Sequence, residues 1–343
     1  MLKKIHVKDA VGEQLSHDIT EIRPGEFKGT AFRKGHTVCD EDICHLQKLG
    51  KNHLYLIDLE KDEIHENQAA AILAKGLSGE GVTWEDNPKE GKICLYAEHD
   101  GLLVINKANL AAFNIIDEVM CASLHSYTLV KKGRQVAATR AIPLVMNKNP
   151  VERAAAIASE DGGTVSVRQL KKAKAGVIIT GNEVFHGLID DKFAPILKKK
   201  INDLGSCVHS IEFAPDNVEL IEQAIQKQIK SGCDLILLSG GMSVDPDDVT
   251  QKGIRNAGAT EMHYGAAALP GAMFMVAYMD KIPLLGVPAC GLHHKVTVLD
   301  LILPRILIGE HIGKKELAFI GHGGLCMDCP ECTHPHCPFG KGM

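Results

Sequence analysis

The chain has no excess of positive charge. Its 38 lysines and arginines are outnumbered by 43 aspartates and glutamates, for a formal net charge of −5. Without a basic field to grip phosphate backbones, nucleic acid is not expected among its partners. Long apolar runs are also missing. None approaches the roughly 18 residues that span a bilayer, so no membrane partner is expected either. The first fifteen residues carry two early lysines but no continuous apolar core behind them, which is not the pattern of a signal peptide. Together these absences point to the cytoplasm. Most of the cysteines show no disulfide-like grouping. Those at 39, 44, 94, 121, 207, 233 and 290 stand alone, as reduced interior thiols do.

What remains is ordinary globular material, 45% hydrophobic and 24% charged, enough to build real cores. A length of 343 residues allows two or three domains. Residues 1–60 read as a mixed module of short strands with one helix near 40–49, ended by Gly50. Residues 61–172 read as a strand-rich middle domain. It has a helical stripe through Ile64, Ala71 and Ile72, strands at 93–96, 102–105 and 127–130, and a helix at about 151–159 behind Pro150.

From 173 to 312 the character changes to alternating strands and helices. The run 176–179 is continuously apolar, as a parallel strand buried on both faces should be. Phe193, Ile196, Leu197, Ile201 and Leu204 fall at helical spacing, with Asp190 or Asp191 as the capping residue. A strand at 207–213 leads to a helix capped by Asp216 or Asn217. Further strands follow at 235–238 and 282–287, and then an apolar helix over 292–308 that Pro304 should bend or interrupt. This predicts an α/β fold, a mostly parallel sheet with helices on both faces.

In such sheets ligands bind beyond the carboxyl ends of the strands. Two loops sit there, Thr180-Gly181-Asn182-Glu183-Val184 after one strand and Ser239-Gly240-Gly241-Met242-Ser243 after another, the latter continuing to Thr250. Paired glycines let a backbone approach a ligand closely, with their N–H groups facing phosphate oxygens. A branched side chain at Gly241 is expected to fill that space. Ser243 and Thr250 offer hydroxyls, while Asp245, Asp247 and Asp248 supply hard oxygen ligands for magnesium.

These two loops, with Gly187, Asp190-Asp191 and Asp216 between them, resemble the signature of the molybdopterin-binding domain shared by molybdopterin adenylyltransferases and molybdenumtransferases. The resemblance covers about 135 residues and implies a three-layer α/β domain. It implies a ligand, molybdopterin or its adenylylated form, held by Thr180, Gly181, Gly240, Gly241, Ser243, Thr250, Pro270 and Gly271. Asp248, Glu183 and Asp216 would be the catalytic carboxylates, with Asp248 and Glu183 on magnesium. A weaker resemblance to the opening of a molybdenumtransferase runs through Asp9-Ala10-Val11-Gly12, Asp18-Ile19 and Arg33-Lys34-Gly35. Two departures stand out. Where the transferases carry Pro-Gly-Lys-Pro and Leu-Pro-Gly-Asn-Pro, this chain reads Pro270-Gly271-Ala272-Met273 and Val287-Pro288-Ala289-Cys290-Gly291. A missing lysine weakens the case for standard molybdate insertion.

Residues 313–343 form a Cys/His-rich tail. Cys326, Cys329, Cys332 and Cys337 follow the spacing C-x2-C-x2-C-x4-C, with Pro338 next and His322, His334 and His336 as spare ligands. The spacing fits zinc or an iron–sulfur centre. The tail is expected to be separable from the α/β domain. Two functional classes follow. One is an enzyme inserting molybdate or tungstate into the pterin. The other is a non-catalytic carrier or sensor that hands cofactor to a molybdenum or tungsten apoenzyme. A third and weaker resemblance is to nucleotide-pyrophosphate hydrolases, through Pro246-Asp247-Asp248-Val249-Thr250. A homo-oligomer is compatible with all three.

Overall fold

Buried apolar strands organise the second half of the chain. The computed structural model describes residues 2–23, 25–57, 59–85, 87–242 and 249–342. The chain folds into two compact units. One comprises Met1–His99, Ile105–Leu124 and Lys131–Val167; the other comprises Asp100–Val104, His125–Val130 and Arg168–Met343.

In the second unit six strands share one sheet: β1 (Lys174–Thr180), β2 (Cys207–Ala214), β3 (Leu235–Ser239), β4 (Glu261–Tyr264), β5 (Met275–Met279) and β6 (Ile282–Val287). Their spatial order is β2-β1-β3-β6-β5-β4. β1 runs parallel to β2 and β3, and β3 parallel to β6. β5 and β4 then add an antiparallel edge. That edge is not evident in the sequence, because Glu261-Met262-His263-Tyr264 alternates too weakly to stand out.

Side-chain alternation splits each central strand between two cores. Val177, Ile179, Leu237, Leu285 and Val287 face one side, packed with α2 (Phe193–Asp203) and α5 (Val298–Leu307). Ile178, Ile236, Leu238 and Leu284 face the other, packed with α3 (Val218–Lys230) and α4 (Thr250–Asn256). The result is helix, sheet and helix in three layers, as expected. Two short helices, α1 (Asn182–Phe185) and α6 (Lys314–Phe319), complete the unit.

The capping alternatives are decided by hydrogen bonds. Asp191, not Asp190, accepts from the Phe193 and Ala194 N–H groups at 2.8 and 3.1 Å. Asn217, not Asp216, accepts from Leu220 N–H at 2.9 Å. The expected helix over 292–308 begins later, at Val298. Asp300 accepts from Thr297 N–H at 2.7 Å and fixes the start there, leaving His293-His294-Lys295 outside the helix. The helix also runs through Pro304 to Leu307. Nearly every residue of α5 is buried, and that packing outweighs a proline penalty of about 3 kcal/mol. Behind it, Arg305 is 3% exposed and donates through Nε and Nη2 to both Glu310 oxygens, at 2.9 and 2.6 Å. The Tyr127 ring lies 4.3 Å from the Arg305 guanidinium carbon. Tyr127 has φ +59, so the strand expected at 127–130 shrinks to Leu129–Val130, paired with Gly101 and Leu102.

The first unit is mixed. A four-stranded antiparallel sheet places Val82–Trp84, Lys92–Ala97, Gln135–Ala141 and Val119–Ser123 side by side, with helix Glu66–Leu77 packed on it. Helix Lys148–Ser159 starts before Pro150 rather than after it. The Asn147 side chain caps it by accepting from Asn149 N–H at 2.9 Å, and Pro150 occupies the first turn, where no amide donor is needed. Nearer the N-terminus, Val7, Leu15, Ile19, Phe32, Val38, Leu46 and Leu54 close a small separate core around helix Asp40–Lys48. Among the described residues no helix is long and apolar enough to cross a membrane.

Candidate ligand site at the strand ends

Parallel strands put their following loops at one end of a sheet. The Thr180-Gly181 loop after β1, the Ser239-Gly240-Gly241 loop after β3 and the Pro288–Leu292 turn after β6 therefore share an edge. Because β5 runs opposite to β6, Pro270-Gly271-Ala272, which precede β5, come to the same end.

The first two loops are tied to each other. Thr180 is 4% exposed and Thr250 fully buried, with their hydroxyl oxygens 3.0 Å apart. Thr180 Oγ1 also lies 2.9 Å from Ser239 O, and Thr250 Oγ1 3.0 Å from Gly240 O. Two hydroxyl protons thus serve three contacts. Both hydroxyls brace the site from inside rather than opening onto it. Beside them, Ser239 Oγ is buried and has no hydrogen-bond partner among the described residues. A hydroxyl left without a partner in the interior is uncommon in folded proteins.

Gly240 has φ +91 and Gly241 φ +57. A Cβ at Gly240 would lie 2.2 Å from Thr180 O, and one at Gly241 would lie 2.4 Å from Thr250 Oγ1. The glycines are thus required by the close approach of the two loops as well as by backbone conformation. At Gly241 the missing side chain points inward at Thr250, not outward into the space for a phosphate as the sequence suggests.

Asp216 and Asn182 hold each other reciprocally. Asn182 N–H donates to Asp216 Oδ2 at 2.9 Å, and Asp216 N–H donates to Asn182 Oδ1 at 3.2 Å. Asp216 therefore anchors the first loop to the start of α3. Asn182 carries half of this clasp; the motif contains it, but residue type alone assigns it no role. Glu183 is exposed, and its carboxylate folds over Gly181, whose Cβ would lie 3.0 Å from Glu183 Oε1. Ser243, Asp245, Asp247 and Asp248 lie outside the described residues. Tyr264 Oη donates to Met242 O at 2.7 Å and fixes the backbone just before them.

Gly271 has φ +119 and leaves room for the N-terminus of α5. A Cβ there would lie 2.9 Å from Val298 N, which itself donates to Pro270 O at 3.3 Å. Pro270-Gly271 is thus built into the start of α5. Cys290 is half-buried, and burial pushes its thiol up, so it stays protonated near neutrality. Of the tail cysteines, Cys326 and Cys337 are half-buried and Cys329 and Cys332 exposed. Among the described residues no three His, Cys, Asp or Glu side chains are gathered as a metal site.

Parts of the chain are similar to known proteins. Residues 176–307 match the family described as a probable molybdopterin binding domain. Residues 4–58 match a different family, described as a domain of unknown function, DUF8806. A protein of Archaeoglobus fulgidus is 36% identical over 81 residues, which is 24% of this chain and 35% of that protein. A CinA-like protein of Mycobacterium tuberculosis is 35% identical over 78 residues, 23% of this chain and 18% of that protein. The chain therefore spans about a third or less of the length of these relatives. Among solved structures, the molybdopterin biosynthesis enzyme MoaB of Thermus thermophilus aligns with a TM-score of 0.35 and 19% identity, covering 40% of this chain and 98% of that one.

Proposed function

We propose, from the premise that residues 176–307 are a molybdopterin-binding type of domain, that this chain binds molybdopterin or its adenylylated form in the cytoplasm, in service of molybdenum or tungsten cofactor assembly. One observation carries the reading. Two glycine loops at the ends of adjacent parallel strands are bolted together by the Thr180–Thr250 hydroxyls, and the Ser239 hydroxyl of the second loop is buried without a partner among the described residues. The Gly240 and Gly241 N–H groups are suited to phosphate oxygens, since glycine lets an anion approach the backbone, whereas Gly181 N–H already donates to Ala214 O at 3.2 Å. Ser243 and Pro270-Gly271 would close the rim.

Hard carboxylate oxygens suit magnesium, which would neutralise phosphate charge when bound. Glu183 and Asp248 are the donors for it. Glu183 is exposed and no hydrogen bond engages its carboxylate among the described residues, whereas Asp216 is already committed to Asn182. Asp216 is therefore a positioning residue, and Asp248 and Glu183 are the carboxylates in contact with ligand or ion.

Two outcomes of binding remain, insertion of molybdate or tungstate as substrate, or carriage of cofactor to an apoenzyme. Ala272 and Cys290 favour the carrier, because no cation or thiolate stands in the segments where the transferases carry lysine and asparagine. Calorimetry with molybdopterin and with its adenylylated form, in the presence of magnesium, tests binding. Asp248→Ala should weaken it by about tenfold or more, with circular dichroism verifying that the variant folds. Equal affinity in parent and variant would remove the site assignment. Nucleotide release on adding molybdate would decide for the enzyme over the carrier.

A further inference from the structure

The C-terminal tail is a built loop. Leu269 N–H donates to Gly324 O and Cys326 N–H donates to Leu269 O, both at 2.8 Å, so the tail enters by pairing with the segment before β5. It leaves through Gly340 N–H, which donates to Gly323 O at 2.9 Å and so joins the two ends of the loop. Phe339, 3% exposed, is set into the core shared with α5, and Cys326 and Cys337 pack against that core. Cys329 and Cys332 lie exposed between these fixed points, and all four are free thiols. All four also line one cavity of about 370 Å³, together with His293 and His294 from the segment that follows β6.

We propose that Cys326, Cys329, Cys332 and Cys337 ligate a single soft-metal centre, zinc or a small iron–sulfur cluster, in this cavity. Spacing alone shows that four thiols are near in sequence. The fold adds that they surround one space, that two of them are held by the core, and that the loop bearing them is closed at its base. Thiolates select zinc or iron–sulfur over magnesium, so this centre is chemically distinct from the carboxylates of the pterin loops. No three ligating side chains are yet gathered among the described residues. Binding must therefore draw Cys329 and Cys332 inward, toward Cys326 and Cys337. Four thiolates leave excess negative charge on the centre. His293, His294 and Lys295 line the same cavity and would supply N–H donors to sulfur, the outer contacts that stabilise thiolate sites. Those three residues follow β6, so the centre would sit near the end of the sheet that carries the glycine loops.

The proposal does not depend on pterin binding, and metal analysis tests it separately. The full chain, purified without oxygen or chelator, should carry about one zinc, or iron with matching acid-labile sulfide. Sulfide identifies a cluster and its absence with zinc identifies a closed zinc site; both support the proposal. Cys329→Ser combined with Cys332→Ser should lower the content below about a tenth of an equivalent. Those two thiols are exposed, so the variant should fold, and near-ultraviolet circular dichroism would verify that. Cobalt titration of the metal-free full chain gives a second readout, an intense sulfur-to-metal absorption that the double variant should lack. A full chain with four reactive thiols and no stoichiometric metal, or a double variant that retains the parent's metal, would overturn it.

Discussion

At the scale of single residues, Gly241 shows how a correct position can be read for an incomplete reason. The sequence marks it as a place where backbone meets ligand. The structure adds that its missing side chain faces Thr250 Oγ1, 2.4 Å from where a Cβ would be. Gly241→Val should therefore destabilise the fold itself by about 2 kcal/mol or more, from a positive φ combined with an internal clash. Urea unfolding would measure this, and a midpoint equal to the parent's would mean that the Thr250 contact is easily relieved. The same distinction applies to Thr180 and Thr250. Residue type announces a hydroxyl, but only the paths of two chain segments decide that the hydroxyls meet each other. Asn182 escapes notice for a related reason. Its partner Asp216 is 34 residues away, and no local pattern signals such a clasp.

At the scale of elements, continuous apolar runs make β1, β3 and β6 legible, because strands buried on both faces carry no polar alternation to confuse with a helix. The β4–β5 edge and the late start of α5 are not legible. The first has a weak pattern. The second depends on the Thr297–Asp300 cap and on three polar residues that interrupt an otherwise apolar stretch. The helix Asp40–Lys48 carries a testable cap of its own. Burial works against ionisation of Asp42, but hydrogen bonds from Cys39 N–H and from His36 prevail and hold its carboxyl down at about 2, below the usual 3.8. A depressed folded-state value means stability that is present above pH 3.8 and lost as pH falls through about 2. Asp42→Asn should accordingly lower the melting temperature at neutral pH, with the gap to the parent closing between about pH 4 and pH 2. A gap constant across that range would show that the ionised form contributes nothing.

At the scale of the whole molecule, the tail departs most from expectation. A separable appendage would tolerate removal. Phe339 and the Leu269–Leu325 bridge instead join it to the same compact unit as the six-stranded sheet. Gly340 also sits against Leu301 of α5, so close that a Cβ there would lie 2.6 Å from Leu301 Cδ2. Deleting residues 322–343 should lower stability by about 3 kcal/mol or more, the usual cost of emptying a buried phenylalanine site. Thermal unfolding of the shortened chain would measure it. An unchanged melting temperature would restore the picture of an appendage. The sequence displays the four thiols but cannot show that the segment carrying them also completes a core.

The braced hydroxyls of Thr180 and Thr250 also constrain how this chain can change over evolutionary time. Each is buried and each is the other's partner. Replacing either by valine keeps the volume but takes a donor from a main-chain carbonyl, Ser239 O or Gly240 O, and replacing both takes both donors. Positions 180 and 250, 70 residues apart, are thus each held by a main-chain contact as well as by each other. A change at one does not release the other, so both hydroxyls are kept wherever the two glycine loops keep this close approach.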